Sequence, residues 1–163
     1  MTLKIARFIN IQKLLTKKSF FLFGPRSSGK STLIDTQLDL KVPKIDLLHS
    51  EFLLRLTSNP ADLEAVADAR RPLKAGDIVV IDEIQKVPAL LNEVHRLIEK
   101  RGLRFLLTGS SARKLKATGV NLLAGRAWIA DLFPLTSFEL GKKFSLDRML
   151  LFGGLPPVYL GED

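Results

Sequence analysis

Eight consecutive residues have the types and the spacing of a loop that binds phosphate groups. They match the pattern G-x-x-x-x-G-K-[ST] at every position: Gly24, Pro25, Arg26, Ser27, Ser28, Gly29, Lys30 and Ser31. The main-chain N–H groups of such a loop surround phosphate oxygens at the positive end of a helix. We therefore expect Lys30 to reach the β- and γ-phosphates of a nucleotide and the Ser31 hydroxyl to ligate Mg²⁺.

The other positions of this loop carry simpler expectations. Gly29 has no side chain that would block a close approach of the backbone to the phosphates. Thr32 follows at the start of the next helix and completes the predicted nucleotide-binding set. Arg26 and Ser27 are assigned no chemistry, although Arg26 could contact a phosphate or a neighbouring subunit. The alternative for the whole stretch is a Gly/Ser turn followed by a surface lysine.

Two acidic residues follow the clearest strand of the sequence. Asp82 and Glu83 come directly after the apolar residues 78–81, which is the Walker B arrangement. We expect Asp82 to hold Mg²⁺, directly or through its water shell, and Glu83 to polarise the water that attacks the γ-phosphate. Adjacent carboxylates at a strand end can diverge, one toward the metal and one toward the water. The alternative is two solvated acids at a turn.

Polar residues also follow the next apolar strand along the chain. We expect Ser110 to sense the γ-phosphate and orient the water, with Thr108 and Ser111 as alternates and a plain Gly-Ser turn as the other interpretation. Gln85 could orient water, contact a partner or simply lie at the surface. Arg126 precedes the last predicted strand and could stabilise transition-state charge, within its own chain or from a neighbouring subunit. The alternative is that Arg126 is a structural residue or forms an ion pair.

Apolar strands that alternate with amphipathic helices must position these groups. The predicted strands cover residues 19–23, 44–48, 77–82, 103–108 and 127–132. An opening helix is expected to place Ile5, Phe8, Ile9 and Leu15 on one face. The alternation predicts an α/β layered domain with a mostly parallel sheet, in which ligands bind beyond the carboxyl ends of the strands. The loop and the two acids are predicted to share that edge.

Composition and charge limit the class of protein. The chain has 163 residues, of which 46% are hydrophobic, so it can form one domain with a real core. It has no cysteine, which excludes a disulfide framework and thiol chemistry. No apolar run approaches the roughly 20 residues that a membrane span needs, and charges interrupt the apolar N-terminus. We predict a cytoplasmic protein without membrane contact.

The net charge of +8 is scattered along the chain. Basic residues occur near the start, in the middle and near the end, without interleaved aromatic residues. A basic surface attracts polyanions, so nucleic acid is a possible partner. The alternative is a solvated basic surface.

The motifs occur in series with three longer runs. These are Asp82-Glu83-Ile84-Gln85-Lys86-Val87-Pro88, Leu123-Ala124-Gly125-Arg126 and Pro134-Leu135-Thr136-Ser137-Phe138-Glu139. Together they resemble the prokaryotic AAA+-like ATPases that carry a C-terminal domain of unknown function, and the resemblance covers almost the whole chain. The loop departs from the family in its Arg-Ser-Ser, where members often have Arg-Gln-Val.

The resemblance implies a fold, an activity and a partner domain. The fold is the three-layer sandwich of P-loop NTPases, with a five-stranded sheet of order 5-1-4-3-2 and helices on both faces. The activity is Mg²⁺-dependent ATP hydrolysis. Family members continue into a further C-terminal region, so residues 1–163 are expected to form the N-terminal ATPase domain of a longer protein, with 137–163 as a peripheral tail.

Three functions are compatible with the sequence alone. The first is an ATP-hydrolysing switch or motor that acts on a second domain or an unknown protein partner. The others are a nucleic-acid-binding module with ATP as a ligand, and a kinase that acts on a small molecule. ATP is favoured over GTP because the Asn-Lys-x-Asp element that many GTPases use for guanine is absent.

Overall fold

A computed structural model describes residues 5–116, 123 and 125–161 of the chain. Its centre is a five-stranded sheet made of β1 (Ser19–Phe23), β2 (Lys44–Asp46), β3 (Ile78–Asp82), β4 (Arg104–Gly109) and β5 (Ala127–Asp131). The strands lie in the order β2-β3-β4-β1-β5, and every neighbouring pair is parallel. This is the order 5-1-4-3-2 that the resemblance implied, so the predicted α/β fold is confirmed.

Helices of 4 to 12 residues connect and flank these strands in the described part of the chain. They are α1 (Ile11–Leu15), α2 (Lys30–Gln37), α3 (Ser50–Ser58), α4 (Leu63–Ala67), α5 (Leu90–Arg101), α6 (Ala112–Lys116), α7 (Ser137–Leu140), α8 (Leu146–Phe152) and α9 (Pro156–Tyr159). Short 3₁₀ turns cover Pro60–Asp62, Ile84–Lys86 and Gly141–Lys143. No helix in the described part of the chain combines the length and the apolar character needed to cross a bilayer.

The central strands have apolar side chains on both faces because helices cover both faces of the sheet. Successive residues of a strand point to opposite sides. Phe20 and Leu22 of β1 therefore pack with α1 and α2, in a cluster that includes Ile11 and Leu33. Phe21 and Phe23 of β1 join the opposite cluster, which contains apolar residues of α3, α4 and α5. The sheet is thus the middle of three layers.

The predicted opening helix is wrong in its extent. The helix α1 begins only at Ile11, because the Asn10 side chain caps it by accepting a hydrogen bond from the Lys13 N–H at 2.8 Å. Residues 5–10 are not helical, and Phe8, predicted for the apolar face, is 73% exposed. The segment 5–10 instead runs beside the phosphate loop. The sequence also predicts a short basic helix over residues 112–117; α6 covers Ala112–Lys116, and Ala117 lies outside the described residues.

The segment that follows β5 folds onto a small apolar cluster of its own. Leu135, Leu140 and Tyr159 form its buried centre, and Ile5 packs against it. The Tyr159 hydroxyl accepts a hydrogen bond from the Ser145 N–H at 2.7 Å and donates one to the Lys143 carbonyl at 3.1 Å. These contacts hold α7, α8 and α9 together next to the N-terminal segment.

Candidate nucleotide-binding site

The phosphate loop joins the end of β1 to the start of α2 and has a tightly constrained path. A Cβ atom on Gly24 would lie 2.4 Å from the main-chain oxygen of Leu132, so only glycine fits where β5 leaves the sheet. The Leu132 N–H donates to the Phe23 carbonyl at 2.7 Å, which fixes this approach. Ser27 and Gly29 have positive φ angles of 62° and 94°. The loop therefore turns sharply before α2 begins at Lys30.

Lys30 is buried against the carbonyl groups of its own loop. Its Nζ donates to the Gly24 oxygen at 2.7 Å and to the Pro25 oxygen at 3.0 Å. Burial lowers the pKa of Lys30, while the nearby negative charges of Glu83 and Asp82 oppose that shift. The ammonium group thus lies between the loop and the two acids at the end of β3.

The two acids at the end of β3 have different partners. The Thr108 hydroxyl donates to Asp82 Oδ1, and the same hydroxyl accepts from the Glu83 N–H at 3.1 Å. Glu83 has a left-handed backbone with φ of 59°, which turns the chain into the following 3₁₀ turn. Gln85 Nε2 donates to Glu83 Oε2. Each carboxylate therefore has its own partner, Thr108 for Asp82 and Gln85 for Glu83.

A cavity of about 1160 Å³ lies over this edge of the sheet. The polar part of its lining comes from Arg26, Ser27, Gly29, Lys30, Ser31, Thr32, Asp82 and Glu83. The apolar part comes from Ile5, Leu48, Leu135, Pro156, Pro157 and Leu160. Ligand pockets in proteins usually measure about 300–1,000 Å³, so this cavity has room for a molecule with an anionic part and a flat apolar part.

The donor set in the cavity fits a nucleotide with Mg²⁺. The Ser31 hydroxyl and the Asp82 carboxylate are oxygen ligands, which Mg²⁺ prefers. The residues described by the structure contain no cluster of three or more His, Cys, Asp or Glu that could hold a metal by themselves. A Mg²⁺ ion here would take its other ligands from phosphate oxygens and water, as it usually does in proteins.

Ser110 and Ser111 are half-buried beyond the end of β4. The hydroxyl that meets the acids belongs to Thr108, which was an alternate to Ser110. A period of two excludes Ser111 but does not separate Thr108 from Ser110. The register that pairs Ile81 with Leu107 is what places Thr108 beside Asp82. Thr108 follows Leu106 by two residues, as Asp82 follows Val80, and Leu106 and Val80 share the face that α2 covers. Roles for Ser110 and Ser111 stay predictions.

Arg126 lies at the opposite edge of the sheet from the cavity. It precedes Ala127, which is paired with Ser19 at the start of β1. The five residues of β5 span about 17 Å at 3.3 Å per residue, so Arg126 does not reach the phosphate loop of its own chain. Its Nε donates to Glu99 Oε1 of α5 at 2.5 Å, which is the ion-pair alternative. A role of Arg126 toward a neighbouring subunit stays a prediction. Ala124, two residues before Arg126, lies outside the described residues.

One residue at the cavity was missed by the sequence reasoning. Arg7 lines the cavity and donates from Nη1 to the Ser28 carbonyl of the phosphate loop at 2.8 Å. Its carboxylate partner, Glu139, is 132 residues away along the chain. No periodicity or motif joins two positions so far apart, so the sequence offered no signal for this pair.

Comparisons with known proteins agree with this geometry. The profile of a family described as AAA domain matches residues 16–141. Two uncharacterized proteins, from Mycobacterium bovis and Mycobacterium tuberculosis, are each 33% identical to the chain over 141 residues. The matched region is 85% of this chain and 30% of each relative, so the chain spans less than a third of the length of these curated relatives.

A solved structure shares the fold. The crystal structure of NtrX from Brucella abortus in complex with ATP aligns with a TM-score of 0.53 and 14% sequence identity. The alignment covers 94% of this chain and 50% of that chain. At this identity the likeness concerns the fold alone.

Proposed function

This chain belongs to the AAA domain family, and from that premise we propose that it binds ATP with Mg²⁺ and hydrolyses the bond to the γ-phosphate. One observation carries the proposal: Lys30, Ser31, Asp82 and Glu83 line a single cavity at the carboxyl edge of the sheet. A phosphate loop supports nucleotide binding. A second carboxylate next to the metal-ligating one supports activation of a water molecule.

The loop and the start of α2 bind the phosphates. Their main-chain N–H groups carry partial positive charge at the helix N-terminus. The Lys30 ammonium already faces the loop, and phosphate oxygens would take over from the Gly24 and Pro25 carbonyls as its acceptors. Bound Mg²⁺, held by Ser31 and Asp82, would offset the negative charge of the phosphate oxygens.

Glu83 is the proposed base. It accepts a proton from the water whose oxygen attacks the γ-phosphorus, while the bond to the ADP oxygen breaks. Gln85 fixes the Glu83 carboxylate through Nε2, and Thr108 fixes the Glu83 main chain through its hydroxyl. Both contacts restrict the directions that the carboxylate can take, which favours a single position for the water.

The apolar part of the lining suits the purine base. Ile5, Leu135, Pro156 and Leu160 contribute apolar surface to the cavity. A flat base gains free energy when it leaves water for such a surface. The N-terminal segment and the segment after β5 would then enclose one nucleotide between them.

The decisive experiment compares the wild-type chain with Glu83→Gln. The amide has nearly the shape of the carboxylate but takes no proton, so we expect ATP affinity within about threefold of wild type and a loss of phosphate release by 10² or more. Binding is measured by titration with fluorescent ATP and Mg²⁺, and products are identified by phosphorus NMR.

Glu51→Gln is the matched control, because Glu51 is exposed on α3 and away from the cavity. It should leave binding and turnover unchanged. Hydrolysis at the parent rate by Glu83→Gln would contradict the role of Glu83. A phosphorylated acceptor in place of free phosphate would show a kinase.

We also propose that turnover serves as a switch or motor for another part of a longer protein or for a separate partner. The curated relatives support this because they extend far beyond the matched region.

A further inference from the structure

Arg7 connects three parts of the chain that are distant in sequence. Its Nη1 donates to the Ser28 carbonyl of the phosphate loop at 2.8 Å. Its Nη2 donates to the Phe133 carbonyl just after β5 at 2.5 Å, and its Nε donates to Glu139 Oε1 at 2.8 Å. A planar guanidinium has its donors in a fixed fork, so these three contacts set one orientation for the group.

The Arg7–Glu139 ion pair is almost completely enclosed. The two side chains are only 7% and 6% exposed. Glu139 also accepts from the N–H groups of Phe8 at 3.3 Å and Thr136 at 3.0 Å, and it forms the capping box of α7 with Thr136. Burial on its own would raise the pKa of Glu139, but the hydrogen bonds from Arg7 and from these main-chain groups outweigh it and lower the pKa.

The position of Arg7 beside the loop has a consequence for phosphate binding. All described peptide bonds are trans, so the Ser28 carbonyl and the Gly29 N–H point in opposite directions. By holding the carbonyl, Arg7 also fixes the direction of the Gly29 N–H. A Cβ atom on Gly29 would lie 3.5 Å from Arg7 Nη1 and 3.8 Å from Pro156 Cγ. Arg7 and the segment after β5 thus both border the turn that must approach the phosphates.

We propose that Arg7, held by Glu139, is a positioning residue that orients the Ser28–Gly29 peptide for phosphate and so couples the loop to the segment 133–161. The proposal rests on the nucleotide-binding function proposed above. It adds Arg7 to the residues that prepare the loop for phosphate, and it adds a connection from the loop to residues 133–161. Coupling between two sites is reciprocal. Phosphate in the loop therefore stabilises α7–α9, and loss of the Arg7 contacts weakens phosphate binding.

The test uses inorganic tripolyphosphate with Mg²⁺ as the probe, because it can fill the phosphate loop without a base that touches Pro156 or Leu160. Hydrogen exchange is followed by mass spectrometry in peptides from the loop and from residues 137–160. In the wild-type chain we expect tripolyphosphate to slow exchange in both regions. In Arg7→Lys we expect affinity for tripolyphosphate to fall about tenfold. At saturating probe, protection of the loop should remain and protection of residues 137–160 should be lost.

Arg101→Lys is the matched control. Arg101 also makes several contacts, to Glu64, Asp68 and the Leu73 carbonyl. It is the last residue of α5, and its side chain joins α5 to α4, away from the loop. It should lower the unfolding midpoint and leave both the affinity and the response of residues 137–160 as in wild type. Glu139→Gln should reproduce the loss of coupling, since it removes the charge that fixes Arg7.

Failure of the proposed function and failure of the coupling through Arg7 give different results. If the wild-type chain binds neither tripolyphosphate nor ATP, the proposed function is overturned and the coupling with it. If the wild-type chain binds both and residues 137–160 respond equally in Arg7→Lys, or do not respond in wild type, only the coupling is overturned.

Discussion

Thr108 is the side chain on which the two acids of the site depend together. Its hydroxyl donates to Asp82 and accepts from the Glu83 N–H, and it is fully buried. Thr108→Val keeps the shape and removes both bonds. Because a buried polar group without a partner costs about 1–3 kcal/mol, we expect the free energy of unfolding to fall by about that amount. We also expect ATP turnover to fall, because Asp82 and Glu83 lose their orientation.

Thr108→Ser keeps the hydroxyl and removes only the methyl group, so it should recover most of the turnover that Thr108→Val loses. Thr16→Val is the matched control, since the Thr16 hydroxyl bonds only locally, to the exposed Lys13 carbonyl at 2.8 Å. Urea unfolding and phosphate release measure the two effects. Full turnover in Thr108→Val would show that the hydroxyl does not orient the acids.

Gln85 is held between the site and the core. Its Nε2 donates to Glu83, whereas its Oε1 is buried and has no hydrogen-bond partner among the described residues. A Cβ atom on Gly109 would lie 2.7 Å from that oxygen. A glycine at this position of β4 therefore leaves the space that Gln85 needs to reach Glu83.

For single residues, the sequence predicts which side chains lie at the site better than it predicts their hydrogen-bond partners. The loop and the acids were predictable because parallel strands end at one edge of the sheet. The same rule places Arg126, which precedes a strand, at the other edge. The left-handed backbone of Glu83 and the contacts of Arg7 were not predictable, because a fold-wide arrangement imposes them and no local pattern encodes them.

Strands were predicted more accurately than helices in this chain. The strands 19–23, 78–82 and 104–109 each contain an uninterrupted apolar run, at 20–23, 78–81 and 105–107, because both faces of the sheet are covered. The edge strand β5 lacks clean alternation, with Trp128 and Ile129 both exposed. The opening helix failed because helical periodicity in residues 5–10 competes with tertiary contacts. Phe8 donates its N–H to Glu139, and Arg7 reaches the loop.

The junction of β1, the loop and the end of β5 gives a prediction at the scale of elements. Gly24→Ala places a Cβ atom 2.4 Å from the Leu132 main-chain oxygen, so one of the two backbones must move. We expect a loss of about 1–3 kcal/mol in unfolding free energy, which is typical of overpacking, and weaker ATP binding because the loop starts there. Urea unfolding and ATP titration measure both.

Gly76→Ala is the comparison for this substitution. A Cβ atom on Gly76 meets open space, although its φ of 89° strains any side chain by about 1–2 kcal/mol. Gly76 precedes β3, at the edge of the sheet away from the loop. This variant should lose stability without losing ATP affinity. Equal ATP affinity in Gly24→Ala would contradict the role of the close approach.

For the whole molecule, many of the arginines are paired with acids, and this pairing leaves the net charge of +8 unchanged. Several arginines of this basic chain pair with acids: Arg7, Arg55, Arg71, Arg96, Arg101 and Arg126. These pairs lie in different parts of the fold. Nucleic-acid binding therefore stays a prediction that rests on net charge alone.

The same ion pairs determine how the whole molecule responds to acid. Among the residues that the structure describes, four carboxyl groups have pKa values below their ordinary ones: Glu64, Asp68, Asp77 and Glu139. For the first three the main cause is a hydrogen bond from an arginine, respectively Arg96, Arg101 and Arg71. For Glu139, burial acts in the opposite direction and the hydrogen bonds from Arg7 and the main chain prevail.

The sign of the pH dependence follows from these directions. The ordinary pKa values are 3.8 for Asp and 4.5 for Glu, so below about pH 5 the unfolded chain binds protons that the folded chain still refuses. Stability from these pairs is complete above that range and is lost as the pH falls through the lowered folded values. We expect urea midpoints that are level between pH 7 and 5 and that decrease steadily toward pH 3. Asp68→Asn, which cannot titrate at that position, should start lower at pH 7 and decrease less. A midpoint that stays constant or rises between pH 5 and 3 would show that these carboxylates gain nothing from their arginines in the folded chain.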